Sequence, residues 1–148
     1  MRLAIPELSA LLLVKTGVAT SRNISFRMEV RSDLSQIKVR PFDLVAIVGN
    51  LINNALEAVE NLPVAERRVQ FQVFENTGYF IMQTRNPGFI PRNLRAMIFT
   101  AGFSTKSDST DRGLGLASIK HLTESYNGFV VVSSHLDKGT CFTVGFPK

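Results

Sequence analysis

"FDLVAIVGNLINNALEAVE", residues 42–60, carries two patterns at once. Leu44, Val48, Leu51, Ala55 and Val59 recur at helical spacing and predict one buried stripe on a helix over 42–60. Pro41 stands at its first turn, where a missing N–H costs little. Asn50, Asn54 and Glu57 form a second, polar stripe on another face. Amides on a helix otherwise fit for burial are unusual, because a buried amide without partners is costly. One turn apart, two Asn carbonyl oxygens can face one point. A hard cation such as Mg²⁺ needs one or two protein oxygens of this kind, with phosphates and water completing its shell. A solvated helix face would carry the same residues.

The segments around this helix alternate between the two regular periods. Upstream, "PELSALLLVKTGVATSR" places Leu8, Leu11, Leu12 and Val18 near helical spacing and predicts a helix over 7–21. "ISFRMEV" alternates Ile24, Phe26, Met28 and Val30 with polar residues, as a half-buried strand does, and "QIKV", 36–39, reads as a second short strand. Downstream, "VQFQVF" and "YFIMQTRN" read as strands joined at Asn76-Thr77-Gly78, a good hairpin turn. "NPGFIP" breaks the pattern, and "RNLRAMIF", 92–99, predicts a short helix. A polar loop of about a dozen residues, "TAGFSTKSDSTD", follows; structureless loops of that length are commonly functional. A helix over 113–126 stops at Asn127-Gly128, and "FVVVSSHL" and "TCFTVGFP" form a last hairpin around "DKG". The order predicts an α+β fold: a two-layer α/β sandwich with a mixed, mostly antiparallel sheet of about five or more strands. About three helices cover one face.

Bulk properties narrow the class. The 148 residues suffice for one ordinary domain, and 45% apolar with 20% charged residues is a globular balance. The longest apolar run, "LVAIVGNLI", is too short to cross a bilayer, and the first residues do not read as a signal peptide. Cys141 is the single cysteine, which excludes an internal disulfide framework and fits a reducing compartment. The net charge of +5 is spread along the chain with no basic helix, which argues against a nucleic-acid partner. An apolar helix so near the first residue predicts a piece cut from a longer protein.

Two further stretches fit phosphate chemistry. In "GFSTKSDSTD", Ser104 and Thr105 offer hydroxyls and Lys106 an ammonium. In "RGLGLASIK", Gly113 and Gly115 leave backbone N–H groups accessible at a helix start, where unpaired donors and the helix dipole attract anions. A dinucleotide-binding reading of the same glycines fails, because a polar loop rather than a strand precedes them and the third glycine is missing.

Taken in order, these motifs resemble the catalytic, ATP-binding domain of sensor histidine kinases, within the group shared with gyrase, Hsp90 and MutL ATPases. "NLINNALEAV" looks like the N box, "NPGFIP" a degraded G1 box, "IFTAGFSTK" the F box and "RGLGLASIK" the G2 box. The entry segment "LSALLLVKTGVATSRNISF" is closest to citrate and C4-dicarboxylate sensor kinases. The resemblance implies the Bergerat ATP-binding fold, with residues 1–22 a linker helix from the end of a dimerisation domain and 23–148 the catalytic domain. It implies ATP and Mg²⁺ as ligands, with Asn54 holding the metal and Asn50 supporting it at the phosphates. Phe103, Ser104, Thr105 and Lys106 would belong to a mobile lid. Gly113, Leu114, Gly115 and Leu116 would line the phosphates, and Arg112 would hold lid or phosphates. The γ-phosphoryl group would pass to a histidine on the dimerisation domain of the same kinase and then to a response regulator receiver domain. The chain would be the cytoplasmic part of a membrane-anchored sensor, monomeric in isolation and unable to autophosphorylate alone.

Three departures from the family pattern stand out. The G1 aspartate that accepts from the adenine amino group is missing, and two alignments put either Asn86, followed by Gly88, or Arg85 in its place. An Asn amide could accept from N6–H and donate to N1, whereas Arg could not accept. The second glycine of that box is replaced by Phe89 or Ile90. Ala46 occupies the position of the glutamate that activates water in the hydrolytic relatives, which agrees with a kinase. His121 and His135 do not lie in a dimerisation helix, so the phosphoacceptor is elsewhere. The alternative is a degenerate, non-enzymatic domain that keeps the fold, binds nucleotide weakly or not at all, and serves as a docking module.

Overall fold

Pairing of the period-two segments produces one sheet. The structure, a computed structural model, describes residues 2–95, 97–99 and 110–148, with side chains from 115 onward in the last segment. In chain order the elements are α1 (Pro6–Ser21), β1 (Ser25–Val30), α2 (Pro41–Val59), a 3-10 turn (Val64–Glu66), β2 (Arg68–Glu75), β3 (Tyr79–Asn86), α3 (Arg92–Arg95), α4 (Thr110–Ser125), β4 (Phe129–His135) and β5 (Gly139–Pro147). The described strands make a five-stranded sheet in the order β1-β2-β3-β5-β4. β1 runs parallel to β2 with α2 as the crossover, and the other pairs are antiparallel. α1 and α4 flank α2, which lies on β2 and β3. This is the mixed sheet with helices on one face that the element order predicts.

Side-chain alternation explains which face is covered. On β2, Val69, Phe71 and Val73 are buried, and on β3 the set Phe80, Met82, Thr84 and Asn86. The apolar stripe of α2 packs onto them: Leu44, Ile47, Val48, Leu51, Ile52, Ala55, Leu56 and Val59 are all buried. α2 is long and apolar enough to span a membrane by length and composition. Its hydropathy is accounted for here by the sheet and the two helices packed around it. Leu8, Leu12 and Ala19 of α1 join the same core.

The turns follow local chemistry. Asn76 Oδ1 accepts the N–H groups of Gly78 at 3.0 Å and Tyr79 at 2.9 Å, closing the β2–β3 hairpin. α4 ends with Asn127 in the left-handed region at φ 61° while the Gly128 N–H bonds the Thr123 carbonyl at 3.0 Å, a glycine-type cap with Asn in the strained position.

Three expectations are corrected. Residues 36–39 are not a strand: Val39 is buried and Ile37 half-buried, but no neighbouring strand pairs with them, and Leu34 at φ 59° turns the chain there. The helix predicted over 92–99 is one turn, Arg92–Arg95, followed by a turn through Met97–Phe99, with the Met97 N–H on the Leu94 carbonyl at 2.9 Å. α4 begins at Thr110, three residues before the predicted start.

Candidate functional site

Asn50, Asn54 and Ala58 lie at i, i+4 and i+8 of α2 and so share one face, over about 12 Å of helix. Each level of that face meets something different. At the first, the Asn50 amide is fixed: Nδ2 donates to the Ala46 carbonyl at 2.8 Å, so Oδ1 points away from its own helix. It points at α4, where a Cβ added to Gly115 would lie 3.2 Å from it. Gly115 therefore serves close approach between α2 and α4. A helix beginning at Thr110 commits the Gly115 N–H to the backbone ladder, so in this arrangement it is not a free donor at a helix start.

At the middle level stands Asn54. Its Nδ2 is buried and meets no acceptor among the described residues. Such a donor costs about 1–3 kcal/mol unless a ligand oxygen or a water meets it. The neighbouring Asn53 is exposed instead, and its Oδ1 accepts from Lys15 Nζ at 2.6 Å.

At the third level the turn after β3 comes against α2. A Cβ on Gly88 would lie 3.5 Å from the Ala58 carbonyl oxygen and 3.6 Å from the Ala58 Cβ. Here the pleat separates Asn86 from Arg85. Asn86 faces the helices and is buried, whereas Arg85 is exposed on the open face, opposite Cys141. Asn86 Oδ1 accepts the Gly88 N–H at 2.7 Å. Two residues earlier on the same face, Thr84 is fully buried and its Oγ1 has no partner among the described residues.

The turn is held from outside by a chain of hydroxyls. The Ile90 N–H donates to Ser134 Oγ at 2.8 Å, Ser134 Oγ lies 2.7 Å from Thr140 Oγ1, and Thr140 Oγ1 donates to the Gly88 carbonyl at 2.9 Å. Thr140 spends its proton on Gly88, so Ser134 must donate to Thr140, and every link runs in one direction. Sequence reasoning missed Ser134 and Thr140. They face each other across the β4–β5 hairpin, so aligning the strands about "DKG" could have found the pair. Gly139, between them in sequence, has φ 78° and lies so close to the turn that a Cβ there would be 2.1 Å from the Asn86 carbonyl oxygen.

Of the other expected site residues, Leu116 is half-buried and packs on the core. Arg112, Gly113 and Leu114 lie in the first turns of α4 by their backbone, and Phe103, Ser104, Thr105 and Lys106 lie outside the described residues. Ile98 is buried, and Phe99 packs edge-on against Phe142 with Lys120 Nζ 6.0 Å from its ring centre. His121 and His135 are both exposed. Among the described residues no group of three His, Cys, Asp or Glu side chains could hold a metal. On the far side of α4, the Tyr126 hydroxyl donates to Asp43 Oδ2, and that bond holds the Tyr126 pKa above its ordinary value.

The chain is similar to known proteins over nearly all of its length. Over 147 residues the chain is 34% identical to a probable C4-dicarboxylate sensor kinase of Halalkalibacterium halodurans, covering 96% of this chain and 27% of that protein. It is 30% identical to the sensor protein CitS of Bacillus subtilis, covering 96% of this chain and 26% of CitS. The chain thus spans about a quarter of the length of these relatives. Among solved structures, the catalytic domain of histidine kinase ThkA superposes with a TM-score of 0.81 at 22% identity, covering 98% of this chain and 92% of that one. Full-length ShkA in complex with AMPPNP superposes with a TM-score of 0.78 at 23% identity, covering 99% of this chain and 32% of ShkA. The fold is that of histidine kinase catalytic domains. The model of the GHKL domain family matches residues 39–144, from the approach to α2 through most of β5, and the chain belongs to that family.

Proposed function

We propose that this chain is the ATP-binding catalytic domain of a two-component sensor histidine kinase. It would pass the ATP γ-phosphoryl group to a histidine on the dimerisation domain of the same kinase, from which a response regulator receiver domain takes it. In this reading residues 1–22 arrive from the dimerisation domain and 23–148 form the catalytic domain, on the cytoplasmic side of a membrane-anchored sensor. The observation that carries the proposal is the buried Asn54 Nδ2, which meets no acceptor among the described residues. It stands midway on the α2 face between Asn50, which meets Gly115, and Ala58, which meets Gly88. Nucleotide-like dimensions separate the two ends, and the middle wants a polar ligand.

The residues fit Mg²⁺ and a triphosphate. The Asn54 carbonyl oxygen accepts from no described side chain and suits a hard cation, with Asn50 Oδ1 beside the same space. When bound, Mg²⁺ neutralises charge on the phosphate oxygens. This chain's own contribution is to position. α2 supplies two amides one turn apart, and Gly115 lets α4 approach them. The turn at Asn86–Ile90 holds the far end, where the base would lie between sheet and helices. Gly113, Leu114, Gly115 and Leu116, with Arg112, would border the phosphates, and Phe103, Ser104, Thr105 and Lys106 would close over them. Ala46 stands where the hydrolytic relatives carry a water-activating glutamate, and an alanine cannot activate water. Titration with ATP or ADP and Mg²⁺ tests the proposal. Saturable binding is expected, weakened at least several-fold in Asn86→Ala by loss of a base contact. Absence of binding at millimolar nucleotide would overturn it.

A further inference from the structure

Resting on the nucleotide-site reading above, the Asn86 amide has a consequence for which base that site accepts. Asn86 is 7% exposed and ends β3 on the helix-covered face. The Gly88 N–H points at its side chain at 2.7 Å. A backbone N–H can be met only by an acceptor, so the amide oxygen is the atom that faces Gly88 and the NH₂ group is the other edge. The turn cannot swing this N–H aside. The Gly88 carbonyl is held by Thr140, the Ile90 N–H by Ser134, and Gly139 closes against the Asn86 carbonyl. Nor can the amide flip without setting its NH₂ against the Gly88 N–H, donor against donor. The Nδ2 edge donates to none of the described residues. The edge left for a ligand is therefore a donor.

An aspartate in the same place would keep the bond to Gly88 and offer a second oxygen, an acceptor. Asparagine inverts that edge. The 6-amino group of adenine is itself a donor and gains nothing from an NH₂ group opposite, which leaves only N1 to accept. The 6-oxo group of hypoxanthine or guanine accepts directly. We propose that Asn86 reads the base by donating a hydrogen bond, and that the site takes 6-oxopurine nucleotides at least as well as adenine nucleotides.

Competition binding of ATP and ITP to the wild-type chain and to Asn86→Asp tests this, since the two nucleotides differ at the purine 6-position without the additional amino group of guanine. In the wild type, ITP is expected to bind as tightly as ATP or more tightly; in Asn86→Asp, ATP is expected to gain on ITP by about tenfold or more. The comparison is a ratio within one protein, so a loss of stability in the variant does not distort it. If the variant fails to fold, the wild-type ratio decides alone. A wild-type preference for ATP over ITP, or a ratio unchanged by Asn86→Asp, overturns the inference while leaving the nucleotide site intact. Binding of neither nucleotide at millimolar concentration removes the proposed function and this inference together.

Discussion

At the Asn86–Ile90 turn, polar groups are paired in a directed sequence, from the Ile90 N–H through Ser134 and Thr140 to the Gly88 carbonyl. One α2 turn before the residue that touches Gly88, the buried Asn54 Nδ2 meets no acceptor among the described residues. The two regions are neighbours on one helix face but are built on opposite terms. The turn is a finished structure whose hydrogen bonds stabilise the fold. At Asn54 the described residues leave a buried donor unmet. A site that holds one end of a ligand rigidly and leaves the other to be completed on binding would be built in this way.

The contrast can be broken at the turn first. Gly139→Ala places a Cβ 2.1 Å from the Asn86 carbonyl oxygen and 2.8 Å from the Pro87 Cα, at a φ of 78°. It is expected to cost about 3 kcal/mol or more, read as a shift of the urea midpoint. Ser134→Ala leaves the Ile90 N–H without its acceptor and Thr140 without its donor, and is expected to cost about 1–3 kcal/mol in the same assay. At the other end the sign reverses. Asn54→Ala removes an unsatisfied donor and is expected to leave stability unchanged or raise it by about 1 kcal/mol, while abolishing the Mg²⁺ dependence of ATP binding. A clear destabilisation would mean the amide has a structural partner and the contrast is false.

The smallest expected effect lies away from both ends and serves as a control. Glu75 closes β2 onto Lys148 at 2.7 Å and accepts from Ser32 at 2.6 Å, and the Lys148 bond chiefly holds its carboxyl below the ordinary value. A lowered carboxyl pKa stabilises the fold above the unfolded value near 4.5 and withdraws that stability as pH falls from there through the folded value. Glu75→Gln is expected to flatten this acid limb slightly in pH-dependent melts and leave nucleotide affinity unmoved.

How much of this was legible in the sequence depended on what a pattern reports. The α2 stripe was readable because its period belongs to the helix alone. The strand misread at 36–39 shows the limit: alternation tells which side chains are buried, and Val39 is buried, but it cannot tell whether a second strand lies alongside. Asn50 and Asn54 could be marked as unusual, yet their difference could not, since it depends on Ala46 accepting from one amide and no described residue accepting from the other. Asn86 and Arg85 were equivalent in one dimension and opposite once the pleat assigned them faces. Ser134 and Thr140 looked like polar residues on strands because their partners lie far away in the chain.

The parallel pairing of β1 with β2 has a bearing on how the chain assembles. The β2–β3 and β4–β5 hairpins need only short loops to close, and β3 with β5 then joins two preformed units. β1 can take its place only after α2 has folded back over the sheet edge, because every rung from Ser25–Arg68 to Val30–Val73 spans that helix. As an edge strand, β1 is paired on one side only among the described strands, so its amide protons are expected to exchange before those of β3, which is paired on both sides.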